Sequence, residues 1–280
     1  MHHVMTYHGR KLRIAKHVLR FLRPARIYCE PFCGSAVVWA NVPEGAYTSF
    51  VLNDRDRRIH NLMLVLRDER LFTEFLRRLH FTYYHTDEYT RCIEVVHSLR
   101  PEDMPSVDAA VCFVMLLETT VGGQVPRTPG EFTISSTSGK LQPAARLHKS
   151  FWHYHRRLQQ SYIFCMDGID LIDRIDREDV IFYIDPPYPP ETRGDRGYAN
   201  DMTYNDHERL VDRLTRLKGK AVVSTYPCDL YDRLLCHGWR KHSIEVSGTF
   251  AAQANDLPRL EVIYENTQPD LFTSWTEPEE

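Results

Sequence analysis

Apolar positions in the first quarter of the chain switch repeatedly between helical and strand spacing. Leu12, Ala15, Val18, Leu19 and Leu22 recur on one side of a helical period, with Arg13, Lys16, Arg20 and Arg23 on the other. The spacing predicts an amphipathic helix with a basic back, ended by Pro24. Ile27-Tyr28-Cys29 reads as a short strand leading into a loop around Gly34, and Val37-Val38-Trp39-Ala40 is expected to continue as a helix until Pro43. Phe50-Val51-Leu52 is a second strand, after which Ile59, Leu62, Met63 and Leu66 mark the next helix. This βαβα beginning predicts an α/β fold with a doubly wound, Rossmann-like, largely parallel sheet.

From residue 67 to residue 160 that rhythm breaks. Helical stretches around Leu71 to Leu79 and Val107 to Glu118 are followed by a turn-rich segment from Gly122 to Gly139, which reads as an insertion. Within it Phe132-Thr133-Ile134, between Gly130 and Ser135, has the composition of one arm of a β-hairpin near 122–140, with Arg127 and Lys140 at its ends. The sheet resumes at Tyr162-Ile163-Phe164-Cys165 and again at Val180 to Ile184, a continuous apolar run typical of a strand buried on both faces. A polar loop from Pro189 to Tyr204 has the composition of a lid. Asn205 and Glu208 look like the capped start of a helix carrying Leu210, Val211, Leu214 and Leu217. The expected organisation is a core of residues 1–66 and 161–266, a mostly helical insertion of residues 67–160, and an acidic tail at 267–280.

Charge changes this picture locally. The formal net charge of −3 does not mark a nucleic-acid binder, but up to Arg26 the chain carries seven Lys or Arg and no acidic residue. Arg127 to Arg157 is a second basic region, opposed only by Glu131. A solvated face is an equally good account of either region alone. Seven cysteines, odd in number and without a Cys-x-x-Cys pair, fit buried thiols in a reducing cytosol better than a disulfide frame or a zinc site. His148, His153 and His155 have no second cluster with ligand spacing, so no metal is expected and a polar helix face explains them. No signal-peptide pattern and no run long enough to span a bilayer is present, so the expected location is the cytoplasm.

The candidate chemistry sits directly after the Val180 to Ile184 run, at Asp185-Pro186-Pro187-Tyr188. An exocyclic amine on a nucleobase is a poor nucleophile because its lone pair is delocalised into the ring. A carboxylate and a backbone carbonyl held side by side can accept both of its N–H hydrogens, and Asp185 and Pro186 supply that pair. The two prolines stiffen the turn, and Tyr188 offers a flat face on which an extruded base can stack. An ordinary Asp-Pro turn is the competing account, but an aromatic directly behind two prolines at a strand end is much rarer. Gly34-Ser35-Ala36 is a weak glycine loop that gains weight from Asp54, which follows the next strand and can accept both hydroxyls of a ribose. Asp54 could equally cap the helix after it.

These segments together resemble the Dam-like (alpha) group of N6-adenine DNA methyltransferases, which take S-adenosylmethionine as methyl donor. Tyr7-His8-Gly9-Arg10-Lys11 resembles the group's Tyr-x-Gly-Gly-Lys segment, and Glu30-Pro31-Phe32-Cys33-Gly34-Ser35-Ala36 resembles its Glu-Pro-Phe-x-Gly-x-Gly loop. Asn53-Asp54 follows in the same order, and Lys220 to Tyr226 and Glu261 to Asn266 resemble its last sheet strands. Arg10 and Ala36 each stand where the group carries glycine. The resemblance implies a catalytic set of Asp185, Pro186, Pro187 and Tyr188. It also implies a cofactor pocket of Tyr7, Lys11, Pro31, Phe32, Gly34, Ser35 and Asp54, with Asp167 near the cofactor's adenine, and DNA contacts from Arg127 and Lys140. The implied reaction is direct in-line transfer of methyl to N6 of an adenine flipped out of double-stranded DNA. Cytosine N4 methylation shares the amine chemistry, and an inactive DNA- or cofactor-binding regulator shares the fold. Pro227-Cys228 resembles the nucleophile of cytosine C5 enzymes but lies after a different strand. The recognition sequence, the oligomeric state and any restriction endonuclease partner are not written in these motifs.

Overall fold

The computed structural model describes residues 14–82, 85–120, 125–126, 143–189, 201–246 and 259–267. Tyr7, Lys11, Arg127, Lys140 and the rest of the 122–140 segment apart from residues 125–126, most of the lid loop and the tail beyond residue 267 lie outside the described residues.

Helix α1 (Ala15–Phe21) leads to strand β1 (Ile27–Glu30), then β2 (Ser49–Asn53) and α2 (Arg57–Arg67). Four more helices follow: α3 (Glu69–Phe81), α4 (Thr86–Ser98), α5 (Val107–Thr119) and α6 (Pro143–Leu158). The chain then alternates β3 (Ser161–Phe164), α7 (Gly168–Ile175), β4 (Val180–Ile184), α8 (Tyr204–Leu214), β5 (Lys220–Thr225) and α9 (Asp229–Asp232), and closes with β6 (Arg240–Val246) and β7 (Arg259–Glu265). The strand order is β3-β2-β1-β4-β5-β7-β6. Pairings from β3 through β5 are parallel, while β7 runs antiparallel to both β5 and β6. The doubly wound α/β sheet expected from the sequence is therefore present, with a reversed last strand inserted between β5 and β6.

Strand alternation divides the buried residues into two layers. Tyr28, Ile181, Tyr183, Val222 and Ile263 face the side of α1 to α6, and Cys29, Phe182, Ile184, Val223 and Tyr264 face α7, α8 and α9. Covering both faces makes β4 apolar at every position. Helix α5 is buried along almost its whole length, as its unbroken apolar composition requires. Its start is fixed to α2 by Asn61, which accepts from Ser106 N at 2.7 Å and donates to Ser106 O at 2.9 Å.

Two local expectations are corrected. Val37 to Ala40 does not continue as an α-helix: only a 3-10 turn, Trp39–Asn41, forms. Gly34 at φ 48° and Ala36 at φ 50° bend the chain out of helical geometry, and Pro43 closes the segment soon afterwards. Helix α8 is capped two residues earlier than expected, by Thr203 and Asp206 bonding reciprocally, with Asn205 and Glu208 inside it. Helices α4, α7 and α9 and strand β6 were not anticipated. The β6 sequence, Arg-Lys-His-Ser-Ile-Glu-Val, is the charged edge-strand kind whose polarity hides its pairing. Among the described residues no helix is long and apolar enough to cross a membrane.

Candidate active site

In an open parallel sheet the loops after two strands diverge where the strand order reverses, leaving a crevice at the carboxyl ends. Here that point lies between β1 and β4, which pair directly. The loop after β1 begins at Pro31 and the loop after β4 begins at Asp185, so both sequence motifs flank one crevice.

The β1 side is built from main-chain bonds to side chains. Asp54, immediately after β2, accepts from Gly34 N at 2.8 Å through one oxygen and from Asp56 N at 2.8 Å through the other. Burial and the neighbouring Asp56 carboxylate push its pKa up to about 6. The helix cap is Asp56, which accepts from Arg58 N, so Asp54 is not the cap. Asn53, buried at the end of β2, donates to Pro31 O at 2.8 Å and to Met166 O at 3.0 Å, and accepts from Met166 N at 3.0 Å. It fastens the loop after β1 to the loop after β3. Asp167 caps α7 through Ile169 N at 2.9 Å. Phe32 lies so close over Gly168 that a Cβ there would sit 2.5 Å from its ring.

Glu30, the last residue of β1, is fully buried. Its Oε1 accepts from Tyr28 Oη and from Trp39 N, both at 2.6 Å. Burial above all, with Asp185 adding to it, pushes its pKa up to about 8. That burial favours the neutral form of the carboxyl. Helix α6 closes the loop from behind. Tyr154 donates to Ser35 O at 2.8 Å, Arg157 to Trp39 O at 2.8 Å, and His153 Nε2 bonds Ala40 O at 2.6 Å. Two of these residues, His153 and Tyr154, come from the stretch whose histidines were expected to form a merely polar face.

The β4 side is built from side-chain pairs. Ser224 on β5 donates to Asp185 Oδ1 at 2.9 Å. Tyr188, 3% exposed, donates to Glu261 Oε2 on β7 at 2.5 Å, and its ring meets Tyr226 edge-on at 4.3 Å between centroids. Pro186 is buried and Pro187 half-buried.

The structure thus brings Pro31, Phe32, Gly34, Ser35, Asp54 and Asp167 to the carboxyl edge on the β1 side, and Asp185, Pro186, Pro187 and Tyr188 to it on the β4 side. Sequence reasoning missed Asn53 as a fastener, Ser224, Glu261 and the α6 braces. The signal for Ser224 was available, since a serine ends an otherwise apolar strand run; the others depend on tertiary placement. Among the described residues a separate trio, Glu88, Cys92 and Cys112 between α4 and α5, places ligand-type atoms within 4.8 Å of one another. Arg91 already supplies positive charge there, 2.7 Å from Glu88 and 3.3 Å from Cys112 Sγ.

The family model described as D12 class N6 adenine-specific DNA methyltransferase matches residues 7–247. The DNA adenine methylases of Salmonella typhi and of Salmonella typhimurium strain LT2 are each 24% identical over 282 aligned positions, spanning 96% of this chain and 96% of each relative. Among solved structures, a precorrin 8W decarboxylase from Methanobacterium thermoautotrophicum covers 91% of this chain and 90% of its own, at 8% identity and a TM-score of 0.39. A likeness that slight carries no argument.

Proposed function

The chain belongs to the D12 class N6 adenine-specific DNA methyltransferases, and from that premise we propose that it takes S-adenosylmethionine as donor and acts on an adenine turned out of the duplex. The observation that carries this reading is the crevice between β1 and β4, which sets a nucleoside-type loop on one wall and an amine-holding turn on the other.

The residues on the β1 wall fit the donor. Each Asp54 oxygen already accepts one backbone N–H, and a carboxylate oxygen has a second lone pair for a ribose hydroxyl. Asp167 caps α7 through one oxygen at the same edge, directly before Gly168, which packs against Phe32. S-adenosylmethionine, when bound, supplies an electrophilic methyl group. Tyr7 and Lys11 are proposed to close over that pocket, and Arg127 and Lys140 to contact DNA phosphates.

On the β4 wall, Asp185 Oδ and Pro186 O accept the two N6 hydrogens of the target base, orienting the nitrogen toward the donor wall. The Tyr188 ring gives the base a stacking face, and its bond to Glu261 fixes that ring before the base arrives. Burial holds Glu30 toward its neutral form, so it competes little with Asp185 for the amine's hydrogens. No nucleophilic side chain is required, because the amine itself forms the new bond and then loses a proton.

Incubation with unmethylated duplex DNA and a labelled methyl donor, followed by digestion and mass spectrometry of the nucleosides, tests the reading. N6-methyladenine is expected. N4-methylcytosine, or no methylated nucleoside with S-adenosylmethionine at saturation, contradicts it.

A further inference from the structure

On the α1 face of the sheet, two hydroxyls and a carboxylate stand in a line. Tyr183 Oη on β4 and Ser224 Oγ on β5 lie 3.0 Å apart, and Ser224 donates to Asp185 Oδ1 at 2.9 Å. The register sets this up: Tyr183 pairs with Val222 and Ile184 with Val223, so Asp185 and Ser224 come next, side by side on the same face.

The direction of the chain follows from counting hydrogens. A serine hydroxyl has one, and Ser224 gives it to the carboxylate, so the Tyr183–Ser224 bond must be donated by Tyr183. Tyr183 suits that role. Burial first, and the charge of Asp185 next, raise its phenol well above the ordinary range, so it keeps its proton. Both residues are closed off from solvent, Tyr183 at 3% and Ser224 at 0% exposure, among Ile181, Val222 and Ile263. Phenylalanine and alanine would fill nearly the same space without burying two hydroxyls, and buried hydroxyls cost stability unless they are bonded.

We propose that Tyr183 and Ser224 form a two-hydroxyl relay that keeps Asp185 a carboxylate and aims it at the target amine, making both of them positioning residues for methyl transfer. The proposal rests on the reading of Asp185 given above. Hydrogen bonds donated to a carboxylate favour its charged form. The groups acting on this line from neighbouring elements are Glu30 from β1, Glu261 from β7 and Tyr231 from α9. The Glu261 carboxylate disfavours further negative charge on this line, and the hydrogens donated by Ser224 and Tyr183 work against it.

The test is kcat against pH at saturating S-adenosylmethionine and duplex DNA for the wild type, Tyr183→Phe, Ser224→Ala, Ser224→Thr and Asp185→Asn. Ser224→Ala should lower kcat by roughly ten- to a hundred-fold, the range for losing a hydrogen bond to a charged group. Its acid limb should move to higher pH, and the KM for the donor should stay at the wild-type value. Tyr183→Phe, which keeps the ring and its packing, should move the acid limb in the same direction by less. Ser224→Thr restores the hydroxyl and should recover most of the loss. An acid limb in Tyr183→Phe that coincides with the wild type overturns the relay, even if Ser224→Ala fails to fold. Wild-type turnover in Asp185→Asn removes the reading of Asp185 itself. An inactive Asp185→Asn beside an unshifted Tyr183→Phe removes the relay alone.

Discussion

The two walls of the crevice are fixed by opposite means. On the β1 side, main-chain groups of the loop are taken up by side chains from elsewhere: Gly34 N by Asp54, Pro31 O by Asn53, Trp39 N by Glu30 and Ser35 O by Tyr154. On the β4 side the reactive side chains themselves are tied, Asp185 by Ser224 and Tyr188 by Glu261. A loop fixed through its main chain tolerates a change of residue as long as its path survives. Within that loop Ala36 holds a left-handed φ of 50°. A turn fixed through its side chains has no such latitude. Substitutions on the first wall should therefore act on stability and donor affinity, and those on the second on turnover.

The largest effect that would break this contrast concerns Glu30. Its carboxyl titrates near 4.5 in an unfolded chain and about 8 in the fold. Between those values the unfolded state binds fewer protons than the folded one, so stability falls as pH rises, by at most about 1.4 kcal/mol per pH unit. Glu30→Gln keeps an acceptor for Tyr28 and Trp39 but cannot ionise. It should flatten most of that slope and be more stable than the wild type at about pH 8 in denaturant melts. A residual slope from Asp54, confined to the range up to about 6, should remain. Parallel slopes for variant and wild type would show that Glu30 is ionised in the fold.

Asp54→Ala removes the acceptor for Gly34 N and for Asp56 N. Calorimetry should show S-adenosylmethionine affinity reduced by roughly 1.5–3 kcal/mol, with kcat at saturating donor much less affected. A fall in kcat at unchanged affinity would place Asp54 on the wrong wall. Tyr188→Phe sharpens the contrast from the other side. It keeps the stacking ring and loses only the Glu261 bond, so kcat should fall by about ten-fold while donor affinity holds. The smallest effects belong to residues on neither wall. Arg127→Ala and Lys140→Ala should each lower the salt dependence of duplex binding by about one counterion and leave donor binding unchanged. Unchanged salt slopes in both would remove the hairpin from the DNA interface.

What could be read from the sequence followed from how local each signal was. Strands β1, β2, β4 and β5 were visible because burial leaves short continuous apolar runs, as in Val180 to Ile184, and β3 by its Tyr-Ile-Phe run although it lies at the sheet edge with Tyr162 exposed. Asp185 to Tyr188 was visible because its chemistry sits in four consecutive residues. Strand β6 was hidden by its charges, and the bracing role of α6 because it bonds carbonyls of residues more than a hundred positions away, as Tyr154 does at Ser35. Asp54 illustrates the limit at one position. The carboxylate was expected to serve a ribose or a helix cap; the structure gives the cap to Asp56 and adds the clasp on Gly34 N, which no local pattern announces.

The division of labour between the walls is tested most directly by measuring donor binding and turnover together in Asp185→Ala and Asp54→Ala. Asp185→Ala should bind S-adenosylmethionine as the wild type does and lose N6-methyladenine formation by roughly a thousand-fold or more, the scale on which preorganised acceptors act. Asp54→Ala should lose binding first. Wild-type turnover in Asp185→Ala, or a loss of donor binding there matching that of Asp54→Ala, would contradict the account.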